Sequence, residues 1–163
     1  MFDDILEANT AYAAQFALAG ISASPKRLLA IVTCMDSRIE PLQMLGLVPG
    51  DAKIFRNAGA RVTQDTLRTL VLGVNLFGID RIAIIHHTKC AMTTATDDEL
   101  REKIGALRDA DASGWEFLTV ADTDAVLRDD IAKVRECALI PDDVEVAGFL
   151  YDVDTGSLDL VVD

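Results

Sequence analysis

Ile31-Val32-Thr33-Cys34-Met35-Asp36-Ser37-Arg38 joins two kinds of sequence. Its first half is apolar and β-branched, the composition of a strand, and with the residues from Arg27 onward the run is continuous enough to demand cover on both faces. That points to a parallel sheet. Its second half sets a thiol, a carboxylate and a guanidinium at alternate positions, so an extended backbone turns Cys34, Asp36 and Arg38 to one side. A second apolar run, Arg81-Ile82-Ala83-Ile84-Ile85, ends in the same way with His86-His87-Thr88-Lys89-Cys90, which holds the only two histidines of the chain.

Helices and further strands fall on either side of these two runs. Phe2, Ile5, Leu6, Tyr12, Ala13 and Phe16 keep helical spacing over residues 2–17, with Asp3, Asp4 and Glu7 in the first turn where acids suit the dipole. Residues 20–25 read as the exit loop before the first strand, 27–35. A short helical piece covers 41–45, and Pro49-Gly50-Asp51 turns the chain into a second strand, 52–56, ending in Asn57-Ala58-Gly59. Thr63 caps a helix over 64–77 with Leu67, Leu70, Val71 and Val74 on one face, and Gly78 stops it. The third strand, 81–87, is followed by a helix over 97–110. Asp122 or Thr123 caps a last helix to about residue 138, which Pro141 cannot continue. A fourth strand, 144–151, turns at Asp154-Thr155-Gly156 into an edge strand, 158–162. The expected fold is α/β: an open, mostly parallel sheet of four strands plus a C-terminal antiparallel edge strand, helices on both faces, and one domain over residues 1–163.

The chain has 163 residues and a formal net charge of −12, and that field repels polyanions and argues against nucleic acid or an anionic membrane as partner. No apolar run approaches the ~20 residues of a membrane span, and Met1-Phe2-Asp3-Asp4 is acidic where a signal peptide is basic, so a cytoplasmic location is expected. Three cysteines without an export signal favour metal or redox use over a disulfide framework.

Ligands of an open α/β sheet sit off the carboxyl ends of its strands, where Cys34 and His87 both fall. Cys34, His87 and Cys90 supply two thiolates and an imidazole, a set that suits zinc and leaves the fourth tetrahedral position for water, whose pKa zinc lowers toward neutrality. Asp36 can accept a hydrogen bond from that water, and Arg38 can keep Asp36 ionised and oriented. Other polar residues read more plainly. Cys137 is a small buried hydrophobe on the last helix, and His86 points away from His87 as a hydrogen-bonded structural histidine. The charged stretches 97–102 and 129–136 read as solvated helix faces. Lys89 has no assignable role. The absence of a C-x-x-C motif argues against a redox function.

Cys34-Met35-Asp36-Ser37-Arg38, Arg56-Asn57-Ala58-Gly59 and His86-His87-Thr88-Lys89-Cys90 together resemble the β-class carbonic anhydrases, most closely the short prokaryotic members, over nearly the whole chain. The resemblance implies one zinc per chain on Cys34, His87 and Cys90, and reversible hydration of carbon dioxide to bicarbonate and a proton. It makes Asp36 and Arg38 the dyad that keeps the fourth zinc position open, and puts Gly59 near the substrate. It also implies a homodimer, or a larger even-numbered assembly, in which an N-terminal helix within residues 1–20 lies across the partner. Ala91 and Lys89 depart from the glycine and the polar or acidic residue usual in the family, which bears on substrate preference more than on ligation. The same scaffold hydrolyses carbonyl sulfide or carbon disulfide, which is the alternative activity. A catalytically idle zinc-bound interaction or sensor protein is a third reading, against which the retention of Asp36 and Arg38 argues.

Overall fold

β1 (Leu29–Cys34) lies inside a five-stranded sheet of order β2-β1-β3-β4-β5, between β2 (Ala52–Asn57) and β3 (Arg81–His87). The computed structural model describes residues 1–163. β1 pairs in parallel with both neighbours, β3 pairs in parallel with β4 (Glu145–Tyr151), and β5 (Leu158–Val162) closes the edge antiparallel to β4. The architecture is therefore the expected mostly parallel sheet with an antiparallel edge. The chain leaves β1 toward β2 and then crosses back to β3 on the other side. The winding reverses there, which opens a crevice at the carboxyl ends of β1 and β3. Register brings those ends level, with Thr33 opposite both Arg56 and Ile85, and Cys34 opposite Asn57.

Local chemistry fixes the helix ends. In α3 (Gln64–Phe77) the Thr63 side chain accepts from the Thr66 amide, and Gly78 ends the helix at φ 70°, a left-handed conformation that costs glycine little. α4 (Asp97–Arg108) begins with a capping box between Thr96 and Glu99 and stops two residues short of the expected end, because Asp109 adopts φ 50°. Asp122 caps α5 (Thr123–Arg135), which ends before residue 138 with Glu136 as its C-cap. α2 is a single turn, Pro41–Met44.

The core lies on one face of the sheet. Ala30, Val32, Ile82, Ile84 and Val146 of the strands meet Leu70 of α3 and Leu127, Ile131 and Val134 of α5. Each fully buried aliphatic side chain there contributes roughly 1.5–3 kcal/mol, enough for a few of them to fix α5 on the sheet. The approach is close because β4 carries Gly148, where a Cβ would come within 2.4 Å of Ile131 Cδ1. On the opposite face the segment after α2, with Leu45 and Leu47, borders an apolar groove of about 380 Å³ floored by Ala83, Ile85, Ala147 and Phe149. α1 (Asp3–Ala13) is shorter than expected, so Phe16 lies beyond it, and none of its residues is buried within the chain.

Candidate active site

Cys34 ends β1, His87 ends β3, and Cys90 follows one turn later. Parallel pairing thus brings together residues more than fifty positions apart. Their ligand atoms lie within 4.8 Å of one another, and all three residues are buried. The two sulfurs are 4.0 Å apart, close to the roughly 3.8 Å that two thiolates on a tetrahedral zinc would span. His87 Nδ1 lies 2.9 Å from the Thr88 carbonyl. A carbonyl only accepts, so Nδ1 carries the proton and Nε2 keeps its lone pair free. Nε2 is fully buried without a hydrogen-bond partner, an arrangement that a metal ion satisfies. The Cys34 thiol is held well below its ordinary value, first by the hydrogen bond from Cys90 and further by the amides of Gly59 and Asp36, against the opposing effect of burial. Cys90 is raised correspondingly, because its proton is the one shared with Cys34. The donor set fits zinc by charge, softness and spacing.

Asp36 sits just beyond β1, and its carboxylate is held on one side by Arg38. Oδ1 accepts from the Arg38 amide and Nε, both at 2.9 Å, and Oδ2 accepts from Nη2 at 2.7 Å. This bidentate pair, with Arg38 the largest cause, holds the Asp36 carboxyl well below the usual carboxylate range. Oδ2 is 3.9 Å from His87 Nε2, so the carboxylate faces the ligand cluster without filling it. Arg38 also donates to the Lys89 carbonyl at 3.0 Å, which ties the dyad to the loop between His87 and Cys90. Lys89 is at φ 54° and its ammonium pairs with Asp154, so its backbone supports Arg38 while its side chain anchors the hairpin turn before β5. Arg56 donates to the carbonyls of Cys34 (2.9 Å) and Asp36 (2.7 Å), fixing the backbone that presents both side chains.

Gly59 borders the cluster in a short turn after β2, at φ 78°, and its amide donates to Cys34 Sγ at 3.4 Å. Behind it lies a charged group that the sequence pattern did not reveal. Asp130 was expected on a solvated face, yet it is fully buried, because α5 turns it inward beside Leu127, Ile131 and Val134. It accepts from Arg61 Nε at 2.7 Å and from Lys133 Nζ at 2.8 Å. Its spacing three after Leu127 and four before Val134 was the available signal. Asp97 likewise turns inward, accepting from the amides of Phe117, Leu118 and Thr119. His86 points away from His87 as expected and is buried, but its Nε2 stands 4.0 Å from Asp130, beyond hydrogen-bond reach. Burial pushes the His86 imidazole down to about 4, which leaves it neutral at pH 7. Cys137, expected as a buried residue on the last helix, lies just beyond the end of α5 and is only partly buried, packed against the core.

Comparison with known proteins accounts for this arrangement. The family model described as carbonic anhydrase matches residues 29–158, the span from β1 into β5. The chain is 34% identical to β-carbonic anhydrase 1 of Mycobacterium tuberculosis over 163 residues, covering 98% of this chain and 96% of that protein. It is 31% identical to a carbon disulfide hydrolase of Acidianus sp. over 182 residues, covering 97% and 89%. A solved carbonic anhydrase from Streptococcus mutans superposes with a TM-score of 0.93 at 42% identity, covering 98% of this chain and 96% of that one. With sheet order, buried Cys-His-Cys cluster and sequence in agreement along the full length, the chain belongs to the β-carbonic anhydrases, enzymes that hydrate carbon dioxide reversibly.

Proposed function

We propose that Cys34, His87 and Cys90 hold one zinc ion per chain, and that Asp36 and Arg38 direct the hydration of carbon dioxide beside it. The observation that carries this reading is the bidentate Arg38–Asp36 pair, which fixes Oδ2 at 3.9 Å from His87 Nε2. Zinc in such a donor set lowers the pKa of water toward neutrality and so supplies a nucleophile at physiological pH. Asp36 Oδ2, held by Arg38 on the side of the cluster, would accept a hydrogen bond from a nucleophile at the open fourth position and so turn its lone pair toward the substrate carbon. Arg38 keeps Asp36 ionised and away from the ligand cluster. With the metal bound, water beside Oδ2 would first lose one proton to solvent, and the hydroxide so formed would add to the carbon of carbon dioxide to give bicarbonate, with no further proton released. Gly59, lacking a side chain, leaves the wall beside Cys34 and Met92 open to a small linear molecule; a Cβ there would lie 3.3 Å from Met92 Cγ.

Stopped-flow hydration of carbon dioxide by zinc-loaded protein tests the proposal. A rate well above buffer, lost in Asp36→Ala, is the expected result. The Acidianus relative bears the name carbon disulfide hydrolase, which keeps a second substrate class in view. Release of hydrogen sulfide from carbon disulfide or carbonyl sulfide, without carbon dioxide hydration, would move the assignment there. Neither activity in fully zinc-loaded protein would leave the idle zinc-bound reading.

Assembly follows from the apolar surface. Phe2, Ile5, Leu6, Tyr12 and Phe16 are all exposed, Leu6 at 65%. An apolar stripe of this size calls for a partner, and the groove of about 380 Å³ on the open sheet face is a match for it. We propose a homodimer, or a larger even-numbered assembly, with the helix in residues 1–20 laid across the partner's sheet and residues 1–163 forming one domain. Deleting residues 1–17 should abolish the dimer in light scattering; an intact dimer would refute the assignment. No helix is long and apolar enough to cross a membrane, and a cytoplasmic location is proposed, to be checked by fractionation.

A further inference from the structure

We propose that the buried Arg61–Asp130 pair positions the metal centre: it holds the turn between Asn57 and Arg61 so that the Gly59 amide donates to Cys34 Sγ, and thereby sets the donor strength of that thiolate. The inference rests on the reading of Cys34 as a metal ligand.

No hydrogen bond or ion pair joins Arg61 or Asp130 to Cys34, His87 or Cys90, and their burial needs a reason. The side chains are 9% and 0% exposed. Buried ion pairs often add no more stability than apolar residues of the same volume; what they add is direction. Here Arg61 donates from Nε and Nη2 to the two Asp130 oxygens, at 2.7 and 3.4 Å, and from Nη1 to the Leu118 carbonyl at 2.9 Å. One side chain thus ties the exit of β2 to α5 and to the loop before it.

The turn needs such an anchor. Gly59 and Ala60 both have positive φ, 78° and 58°. Ala60 carries a Cβ and is completely buried, so its left-handed backbone is strained and persists only where both ends are held. Asn57 clasps Arg61 across the turn, accepting from its amide at 2.8 Å and donating to its carbonyl at 2.7 Å. That closes the loop on itself but does not aim it; the Arg61 side chain does, by fixing it to α5. The product of this geometry is the 3.4 Å contact from the Gly59 amide to Cys34 Sγ. A thiolate that accepts an N–H bond gives less charge to its metal, and outer partners of this kind tune the ion at the ligand's own expense.

Cadmium is the probe, because its thiolate charge-transfer absorption and the spin of cadmium-113 both report the metal–sulfur bond. In the full chain loaded with cadmium-113, the Gly59 amide proton should show coupling to the metal through the hydrogen bond. In Arg61→Lys, and in Asp130→Asn read in parallel, that coupling should vanish and the charge-transfer band should move, as the thiolate gives more charge to the metal. Leu70→Ala, a core truncation away from the turn, should lower thermal stability and leave coupling and band in place. A purely structural pair would make all three variants alike. Wild-type protein without coupling at Gly59, or folded Arg61→Lys with coupling and band unchanged, overturns the inference while leaving the metal ligands intact. Cadmium that couples to neither Cys34 nor Cys90 methylene protons overturns the ligand assignment, and this inference with it.

Discussion

Replacing Arg38 by alanine should separate metal content from catalysis. Arg38 gives Asp36 three hydrogen bonds, two from its guanidinium and one from its amide, and only the amide bond at 2.9 Å survives the change. The released carboxylate has a short way to go. Oδ2 stands 3.9 Å from His87 Nε2. That is only about 0.5 Å more than the roughly 3.4 Å between two nitrogen or oxygen ligands of one tetrahedral zinc, so a small movement would bring Oδ2 and Nε2 to the spacing of two such ligands. Asp36 would then occupy the position that the nucleophile needs. Losing a partner that orients the site typically costs 10–100-fold, and kcat/KM should fall by about that factor. Stopped-flow hydration with a pH indicator measures the rate, elemental analysis measures zinc, and the absorption of cobalt-substituted protein reports the change in coordination. Zinc should stay at the wild-type level throughout. Activity within twofold of wild type, or zinc lost in step with activity, would refute the view of Arg38 as the restraint on Asp36.

Cys34→Ser should lose metal and activity together, whereas Cys137→Ser, which changes a partly buried side chain at the end of α5, should keep both and shift Tm by no more than a few degrees; elemental analysis and calorimetry distinguish the two. Gly148→Ala should destabilise the fold by about 1–3 kcal/mol in urea titration, since the new methyl would meet Ile131 Cδ1 at 2.4 Å and Leu127 Cγ at 3.0 Å; an unchanged midpoint would mean that α5 can withdraw from the sheet. The Asp97 carboxyl is lowered to about 2 by the amides it accepts from, Thr119 the largest cause. A depressed carboxyl contributes stability that is complete above its ordinary value near 4 and is lost as pH falls toward 2. Asp97→Asn should therefore cost about 1–2 kcal/mol at pH 7 and almost nothing at pH 2, as followed by thermal melting at each pH.

The Cys34, His87 and Cys90 cluster was legible because two strand-like runs each end in side chains able to bind a metal, at Cys34 and at His87-Thr88-Lys89-Cys90. A parallel sheet gives such ends one place to meet. Helix limits were legible where a single residue sets them, as Thr63 and Gly78 do for α3, and less so for α4 and α5, where Asp109 and Glu136 end the helices without a glycine or proline to mark the stop.

Sequence by itself determined the order of elements, the parallel character of the sheet and the residue types of the site, because periodicity, caps and side-chain chemistry are local properties of the chain. The folded structure decided what depends on distance between remote residues. It turned Asp130 from one acid among several on a charged helix into the buried partner of Arg61, sixty-nine positions away. It gave Arg56 its two carbonyl acceptors, and Lys89 a backbone contact to Arg38 that no side-chain reading contains. It also set Asp36 Oδ2 at 3.9 Å from His87 Nε2. A helix pattern says which face is apolar; only packing of α5 against β3 and β4 selects which acid is drawn into that face and which arginine meets it.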